Sequence, residues 1–404
     1  MHNRVVVIRP VWLPSKQANA LHTVRMCEAF SELGMDVTLF HIPSPTFDEN
    51  IFQYYDVEKQ FTLKSLPRGL LPFRKAFHLE NTSNILSAFH GFLWSGFVSR
   101  LASGEKKVGF YYTREPMLAF WLSLFCHPVV LEVHNLHRGE SFFIRKACVR
   151  SKVSLFITIT EHLKQLLISL GVPGEKIITL HDGVDARWTS FSEKIGQTAA
   201  RERLGLPIDR PIIGYTGSFY YARKHYRLEK GIPELIQAMA CLPSINGKEP
   251  LLICVGGPME AVPSYLELSR QTGVPQNRIQ FVDHVENREI PYWIRAFDIA
   301  AAPYPNLDYY AYFMSPLKIF EYMAVGTPII ATELPSIQEV LTHKHNAYLV
   351  KPGDPQALAA GIEVLLKDAA LRRQLGEQAA SDARKFTWRE RAKRIIDEIK
   401  RRDI

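Results

Sequence analysis

The run Ser315-Pro316-Leu317-Lys318-Ile319-Phe320-Glu321-Tyr322-Met323-Ala324-Val325-Gly326-Thr327-Pro328 gathers groups able to hold a phosphorylated ligand. Ser315 fits a helix N-cap, and Pro316 fits the first helical position, where a missing N–H costs nothing. Gly326 fits the position just past the helix end, and Pro328 stops the helix from continuing. The pattern predicts a helix of about three turns. Its free N-terminal N–H groups and partial positive charge suit an anion. Glu321 lies too far inside to serve as a cap. A carboxylate there could accept two hydrogen bonds from a vicinal diol such as a ribose. The plainer alternative, an i,i+3 pair with Lys318 on a wet helix face, is what helix physics alone favours.

A second group is the loop Gly217-Ser218-Phe219-Tyr220-Tyr221-Ala222-Arg223-Lys224-His225-Tyr226-Arg227-Leu228-Glu229-Lys230-Gly231. It follows a predicted strand, Ile212 to Thr216, and ligands of open α/β sheets gather at carboxyl ends of strands. Gly217 permits close backbone approach. Arg223, Lys224, Arg227 and Lys230 are more positive charge than a turn requires and suit a diphosphate. An exposed basic loop explains Arg223 and Lys224 equally well, but not Lys230 at the start of the next helix.

A third is Glu132-Val133-His134-Asn135-Leu136-His137-Arg138 at the end of another predicted strand. A histidine there could hydrogen-bond a sugar or orient an acceptor, although a lone histidine is more often structural. The residue pattern does not separate His134 from His137. Lesser features are Asn19 and His22 beside Lys16 in the first strand–helix loop, and Arg114 after Tyr111-Tyr112-Thr113. His181-Asp182-Gly183-Val184-Asp185 reads as a turn.

The elements that must position these groups alternate between strand-like and helix-like patterns. Val5 to Ile8, the near-helical series Leu21, Val24, Cys27, Phe30 and Leu33, and Asp36 to Ile42 begin a doubly wound α/β domain. Strands are predicted at Val108 to Tyr112, Val129 to Val133, Leu155 to Thr160 and Ile177 to Leu180. A second series follows at Ile212 to Thr216, Leu251 to Val255, Ile279 to Val282, Ile299 to Ala301 and Ile329 to Thr332. Helices are predicted at Ile232 to Cys241 and Trp388 to Arg401. The two halves join near Asp182 to Leu206.

Composition narrows the class. With 404 residues, 47% hydrophobic and 22% charged, the chain suits two globular domains and is not disordered. Met117 to Val133 is the longest apolar stretch, but Pro128 divides it into a helix and a buried strand, so a membrane span is not expected. The first residues lack a signal-peptide core, and five scattered cysteines argue against disulfides and structural zinc. A cytoplasmic protein is the expectation. Residues 51–150 carry an excess of Lys and Arg. Within them, Leu66-Pro67-Arg68-Gly69-Leu70-Leu71-Pro72-Phe73-Arg74-Lys75-Ala76-Phe77 mixes bases with apolar groups. Such a stretch could rest on an anionic membrane or form a solvated loop. No nucleic-acid module accompanies the charge, so nucleic acid is not an expected partner. The absence of a Walker-A pattern, G-x-G-x-x-G and H-E-x-x-H removes the usual supports for nucleotide triphosphatases, dinucleotide dehydrogenases and zinc hydrolases.

Taken together these residues resemble the retaining GT-B glycosyltransferases of glycosyltransferase family 4, the group 1 glycosyltransferases. Glu321-Tyr322-Met323-Ala324-x-Gly-x-Pro-Ile-Ile-Ala is similar to that family's donor-binding signature. Ser336-x-x-Glu339-Val340 and Gly353-Asp354 follow as the family has them. Gly217-Ser218 with Lys230-Gly231 resembles its diphosphate loop. His181 to Asp185 resembles its interdomain segment, and Trp388 its final crossover helix.

The resemblance implies an α/β, GT-B architecture of two Rossmann-like domains facing across a cleft. Residues 1–187, joined by helix 386–404, would take the acceptor, and residues 188–385 the nucleotide-sugar. Glu321 would hold the ribose hydroxyls, and Lys230 would neutralise the diphosphate with Arg223 or Arg227. Main-chain N–H groups around Met314 and Leu317 would bind sugar and phosphate oxygens, in a site including Ser315, Pro316 and Lys318. Gly217, Ser218, Gly257 and Val285 are further expected substrate contacts, and backbone geometry near the last two would select the base. His134 would lie near the transferred sugar, with Lys16, Asn19 and Arg114 on the acceptor side. A UDP- or GDP-sugar is the expected co-substrate, with neither metal nor cofactor. A glycan, glycolipid or small molecule is the expected acceptor, in surface polysaccharide or glycoconjugate synthesis, with peripheral membrane contact as a further expectation. Two positions depart from the family pattern: Phe313 stands where a second Glu is common, and Ser218 where an Arg is usual. The competing readings are a catalytically silent nucleotide-sugar-binding homologue and a sugar-nucleotide epimerase on the same fold.

Overall fold

The computed structural model describes residues 2–46, 49–66, 85–126, 128–136, 138–149, 153–223 and 226–402. They form two compact units, Met1–Asp182 with Trp388–Ile404, and Gly183–Thr387. The basic, apolar-studded stretch from Pro67 to Phe77 lies outside the described residues, as do His137, Lys224 and His225.

The first unit is built on a seven-stranded parallel sheet of order β3-β2-β1-β4-β5-β6-β7. The strands are β1 (Arg4–Leu13), β2 (Asp36–Pro43), β3 (Thr62–Ser65), β4 (Phe110–Thr113), β5 (Val129–Val133), β6 (Val153–Thr158) and β7 (Ile177–Thr179). Val5 to Ile8 and Val129 to Leu131 are fully buried, as an uninterrupted apolar run requires when helices cover both faces. Helix α1 (Ala18–Glu32) returns the chain from β1 to β2. It begins at Ala18, so Asn19 and His22 stand on its first turns and not in the loop before it. The C-terminal helix, Trp388–Arg401, packs against α1 through Trp388, Ala392, Ile395, Ile396 and Ile399, the apolar stripe of an otherwise charged helix. Because β1 lies between β2 and β4, the sheet reverses its order there. The carboxyl ends of β1, β4 and β5 therefore frame the place where such sheets hold ligands.

The second unit carries a six-stranded parallel sheet of order β12-β11-β8-β13-β14-β15. Its strands are β8 (Ile212–Ser218), β11 (Leu251–Gly257), β12 (Ile279–Val282), β13 (Ile299–Ala302), β14 (Ile329–Thr332) and β15 (Tyr348–Val350). The order reverses at β8, between β11 and β13. The expected loop after β8 is instead an antiparallel ribbon of β9 (Tyr220–Arg223) and β10 (Tyr226–Glu229). Alternating aromatic and charged residues there suit paired strands better than a turn. Buried Phe219 anchors the ribbon, its N–H donating to Gly257 O at 2.6 Å, while Lys230 N–H donates back to Phe219 O at 3.3 Å.

Helix α2 (Ile232–Cys241) follows directly, and α3 (Leu317–Val325) precedes β14. Pro316, with φ −79° and ψ 118°, is the N-cap of α3, so Ser315 lies one residue outside the helix. At the other end Gly326 adopts φ 70° as expected. No helix among the described residues is long and apolar enough to cross a membrane. Cys27, Cys126, Cys241 and Cys254 are free.

Gly231 fixes where the ribbon hands over to α2. Its φ is +96°, and a Cβ there would run into the carbonyl of Pro303 just past β13. Gly231→Ala is therefore expected to cost about 2 kcal/mol or more of stability. Urea unfolding checks this, and an unchanged midpoint would contradict it.

Candidate active site

At the β8 edge of the second unit, three charged side chains converge. Lys318, on the first turn of α3, is only 7% exposed, and its Nζ lies 3.3 Å from the centroid of the Tyr215 ring. Its Cε is 3.5 Å from where a Cβ on Gly217 would stand, so the missing side chain leaves room for the lysine. The ammonium has no hydrogen-bond acceptor. Burial first, and then Lys230, push its proton affinity well down, against the opposing pull of Glu321. Lys230 donates to Ser218 Oγ, and burial brings it down to about 8.

Glu321, one turn further along α3, is half-buried and has neither hydrogen bond nor ion pair among the described residues. Burial raises its carboxyl to about 7, with Lys318 opposing. The surroundings are rigid: Tyr322 Oη accepts from Thr216 N–H at 2.8 Å, tying α3 to β8, and Tyr215 O–H donates to Ser218 O at 2.7 Å. An unmatched carboxylate and two crowded ammonium groups on one strand edge are what burial opposes in an isolated protein. The wet-face pairing of Lys318 with Glu321 is thus not what the fold builds, because Lys318 is buried.

The remaining expected donor-side residues are distributed as follows. Ser218 and Gly217 end β8, and Ser218 pairs in register with Gly257. Gly257 neighbours Asp283, whose Oδ1 would be 3.6 Å from a Cβ on Gly257, and Val285 packs at the margin of the core nearby. Met314 is buried in that core, while Ser315, Pro316 and Leu317 lead into α3. Arg227 is already engaged by its neighbours. Its guanidinium stacks on Tyr220 and Tyr265, at 4.3 and 4.8 Å from the ring centroids, and pairs with Glu229. The Arg223 side chain lies outside the described residues. Phe313 closes the short helix Asp308–Tyr312. Sequence reading missed Tyr215 and Tyr322, whose ordinary strand and helix positions carry no signal of their bonds.

In the first unit, His134 follows β5 directly, and its Nε2 meets Glu132 Oε1. Glu132 is fully buried; Arg391 Nη1 lies 2.9 Å from Oε2, and Tyr112 O–H donates to the same oxygen. Burial would push this carboxyl up, but Arg391, then His22 and His134, hold it well below the usual range. His134 is lowered to about 3, by burial first and Arg114 second, against the pull of Glu132. Arg114 Nε lies 3.8 Å from Glu132 Oε1. Lys16 is exposed before α1, and Asn19 O accepts from Thr23 within that helix. Glu132 was a residue without a role in the sequence; the signal was an acid inside the apolar run Val129-Val130-Leu131-Glu132-Val133. Arg391 gave none.

Among the described residues, His22, Glu132, His134 and Asp182 place ligand atoms within 4.8 Å of one another, as a metal site would. Two guanidiniums already bring their charge to the Glu132 carboxylate, however, which weighs against a divalent ion joining them.

Two Rossmann-like units, each with charged side chains at the carboxyl ends of parallel strands, have the architecture of the GT-B fold. Residues 210–368 match the family described as Glycosyl transferases group 1. These residues, most of the second unit, thus form a domain of the group 1 glycosyltransferases. A D-inositol 3-phosphate glycosyltransferase of Xylanimonas cellulosilytica is 31% identical over 62% of this chain and 57% of its own. The match thus spans little more than half the relative's length. Another, from Corynebacterium diphtheriae, is 24% identical over 82% of this chain and 74% of its own. Among solved structures, a Rickettsia africae glycosyltransferase aligns with a TM-score of 0.73 at 15% identity, covering 99% of both chains. Anabaena HepE, solved with UDP and glucose, aligns at 0.69 and 18% identity, covering 99% of this chain and 100% of its own.

The Glu321 carboxyl binds its proton more tightly folded than unfolded, where 4.5 is the ordinary value. Its contribution to stability is therefore full at low pH and is lost as pH rises through about 7. Glu321→Gln is expected to match the wild type near about pH 4 and to exceed it by roughly 2 kcal/mol at about pH 8. Urea unfolding at the two pH values checks this, and a pH-independent difference would count against it.

Proposed function

We propose that the protein is a retaining glycosyltransferase that moves a sugar from a nucleoside diphosphate sugar to a hydroxyl acceptor. The observation that carries this is the convergence of Glu321, Lys230 and Lys318 at the carboxyl end of β8, with the carboxylate unpartnered and Lys318 lacking an acceptor. A ribose diol would donate to Glu321, and a diphosphate would supply the negative charge both lysines lack. UDP is the favoured nucleotide, in keeping with HepE, which was solved with UDP and glucose.

In the transfer, the bond from the anomeric carbon to the diphosphate oxygen breaks as the acceptor oxygen bonds to the same face of that carbon. The acceptor proton passes to a diphosphate oxygen. Charge grows on the leaving group, and Lys230 and the N-terminus of α3 stabilise it. No metal enters this scheme. The named activity of the bacterial relatives supports a phosphorylated polyol or related sugar acceptor, and a glycan or lipid-linked one is the broader class. Work in the cytoplasm at the inner membrane face fits such acceptors.

The experiment is thermal shift and slow donor hydrolysis across UDP-, GDP-, ADP- and dTDP-sugars. One nucleotide is expected to stabilise the wild type and release sugar. Glu321→Ala should weaken its binding ten- to a hundredfold, the worth of hydrogen bonds to a charged group. Lys230→Ala should lower turnover about a hundredfold, more than it lowers binding. Binding without turnover in the presence of acceptors would favour a silent homologue, for which Phe313 speaks, and no binding at all would overturn the donor site.

A further inference from the structure

Glu132 has no route to solvent, yet three elements aim donors at it. Arg391, on the C-terminal helix, is itself 3% exposed, and donates from Nε to His181 O at 2.9 Å and from Nη2 to Leu180 O at 3.3 Å. Its position is therefore fixed independently of Glu132. With Tyr112 it occupies Oε2, which leaves Oε1 for the two imidazoles, His134 Nε2 and, at 3.0 Å, His22 Nε2.

An ionised carboxylate only accepts hydrogen bonds, so the ring nitrogen facing it must carry the proton. For His134 that nitrogen is Nε2. In a neutral imidazole the other nitrogen then bears a lone pair. Nδ1 of His134 has no partner among the described residues and, unlike both nitrogens of His22, is not among the sealed, unpartnered atoms. The His134 side chain keeps 19% of its surface exposed, at the carboxyl edge of the first sheet.

We propose that Glu132, clamped by Arg391, is a positioning residue that fixes His134 as its Nε2–H tautomer, so that Nδ1 accepts a hydrogen bond from a substrate hydroxyl. This rests on the glycosyltransferase reading for the substrate, but not for the tautomer. It gives His134 a chemical sign: the edge recognises a hydroxyl that donates, and discriminates against an analogue whose oxygen is methylated or absent. Burial and Arg114 keep the ring from taking the proton itself, so its task is orientation.

Glu132→Gln separates this from a merely structural role. Both Arg391 and Tyr112 demand an oxygen at the Oε2 position, so the new amide nitrogen must take the place of Oε1. It then donates toward His134 Nε2, which can accept only by moving its proton to Nδ1. The lone pair facing substrate is lost while the fold keeps its hydrogen bonds.

The test uses the full-length protein with 15N-labelled histidine and long-range 15N–1H correlation spectra, His134 being assigned by the peak lost in His134→Gln. The wild type is expected to show Nε2–H with unprotonated Nδ1, and Glu132→Gln to show Nδ1–H. In the same variant, nucleotide binding should be unchanged while transfer to acceptor falls about a hundredfold, the range for a positioned proton-bonding group. A wild-type ring protonated at Nδ1 or at both nitrogens overturns the proposal without any variant. So does a Glu132→Gln ring that stays Nε2–H. A tautomer switch with unaltered transfer overturns the part assigned to Nδ1 and leaves the glycosyltransferase standing. Absence of transfer in the wild type sinks the proposed function instead, and the spectra still decide the role of Glu132.

Discussion

Glu132 stands on a central strand with none of its surface exposed, and the first unit is arranged around keeping it ionised. Taking a carboxylate out of water costs several kcal/mol, which only close and well-bonded counter-charges offset. Arg391 supplies the main one, and it comes from the last helix of the chain, more than 200 residues away in sequence. The backbone carbonyls of Leu180 and His181, the thioether of Met26 and the stripe of isoleucines on that helix hold the guanidinium in place. His22 reaches the same centre from α1, and Asp182 from the end of the unit. Four separated stretches of chain are thereby joined through one carboxylate.

The second unit also buries a charge pair, Arg201 with Asp298 at 2.7 Å, but at its ligand edge Tyr322 and Tyr215 lock the end of β8 without ion pairs. Glu321 and the two lysines gather at that edge with no ion pair among the described residues. A protein tolerates such a cluster where stability is secondary to binding, since a ligand of complementary charge relieves what folding could not.

How much of this the sequence disclosed follows from the range of the interactions. The β-branched runs and the Gly-Thr-Pro stop after Val325 are local patterns, and they give α3, the alternation of two α/β series and the sheet strands other than the short edge strands β3 and β15. Glu321 stood out because capping does not explain it, yet helix physics alone favoured a pair with Lys318, and only the burial of that lysine removes the alternative. The ribbon after β8 was hidden because its pairing depends on Phe219 sinking into the core, and Arg227 looked free because its partners Tyr265 and Glu229 approach only once the ribbon forms. The N-cap of α3 moved by one residue, a matter of backbone angle that residue type leaves open. Arg391 was illegible in principle: on a basic amphipathic helix it is one cation among many, and only the distant strand it meets makes it different.

The connectivity of the first unit carries a consequence for how the chain is made. Residues up to Asp182 belong to it, the next 205 form the second unit, and only then does Trp388 return. During synthesis the ribosome delivers the complete second unit before the guanidinium that Glu132 needs has left the exit tunnel. The amino-terminal sheet must wait with an uncompensated acid, open to water or to a chaperone, while the carboxy-terminal one is free to close. The half that is translated first is thus completed only by a helix that follows the other half in the chain.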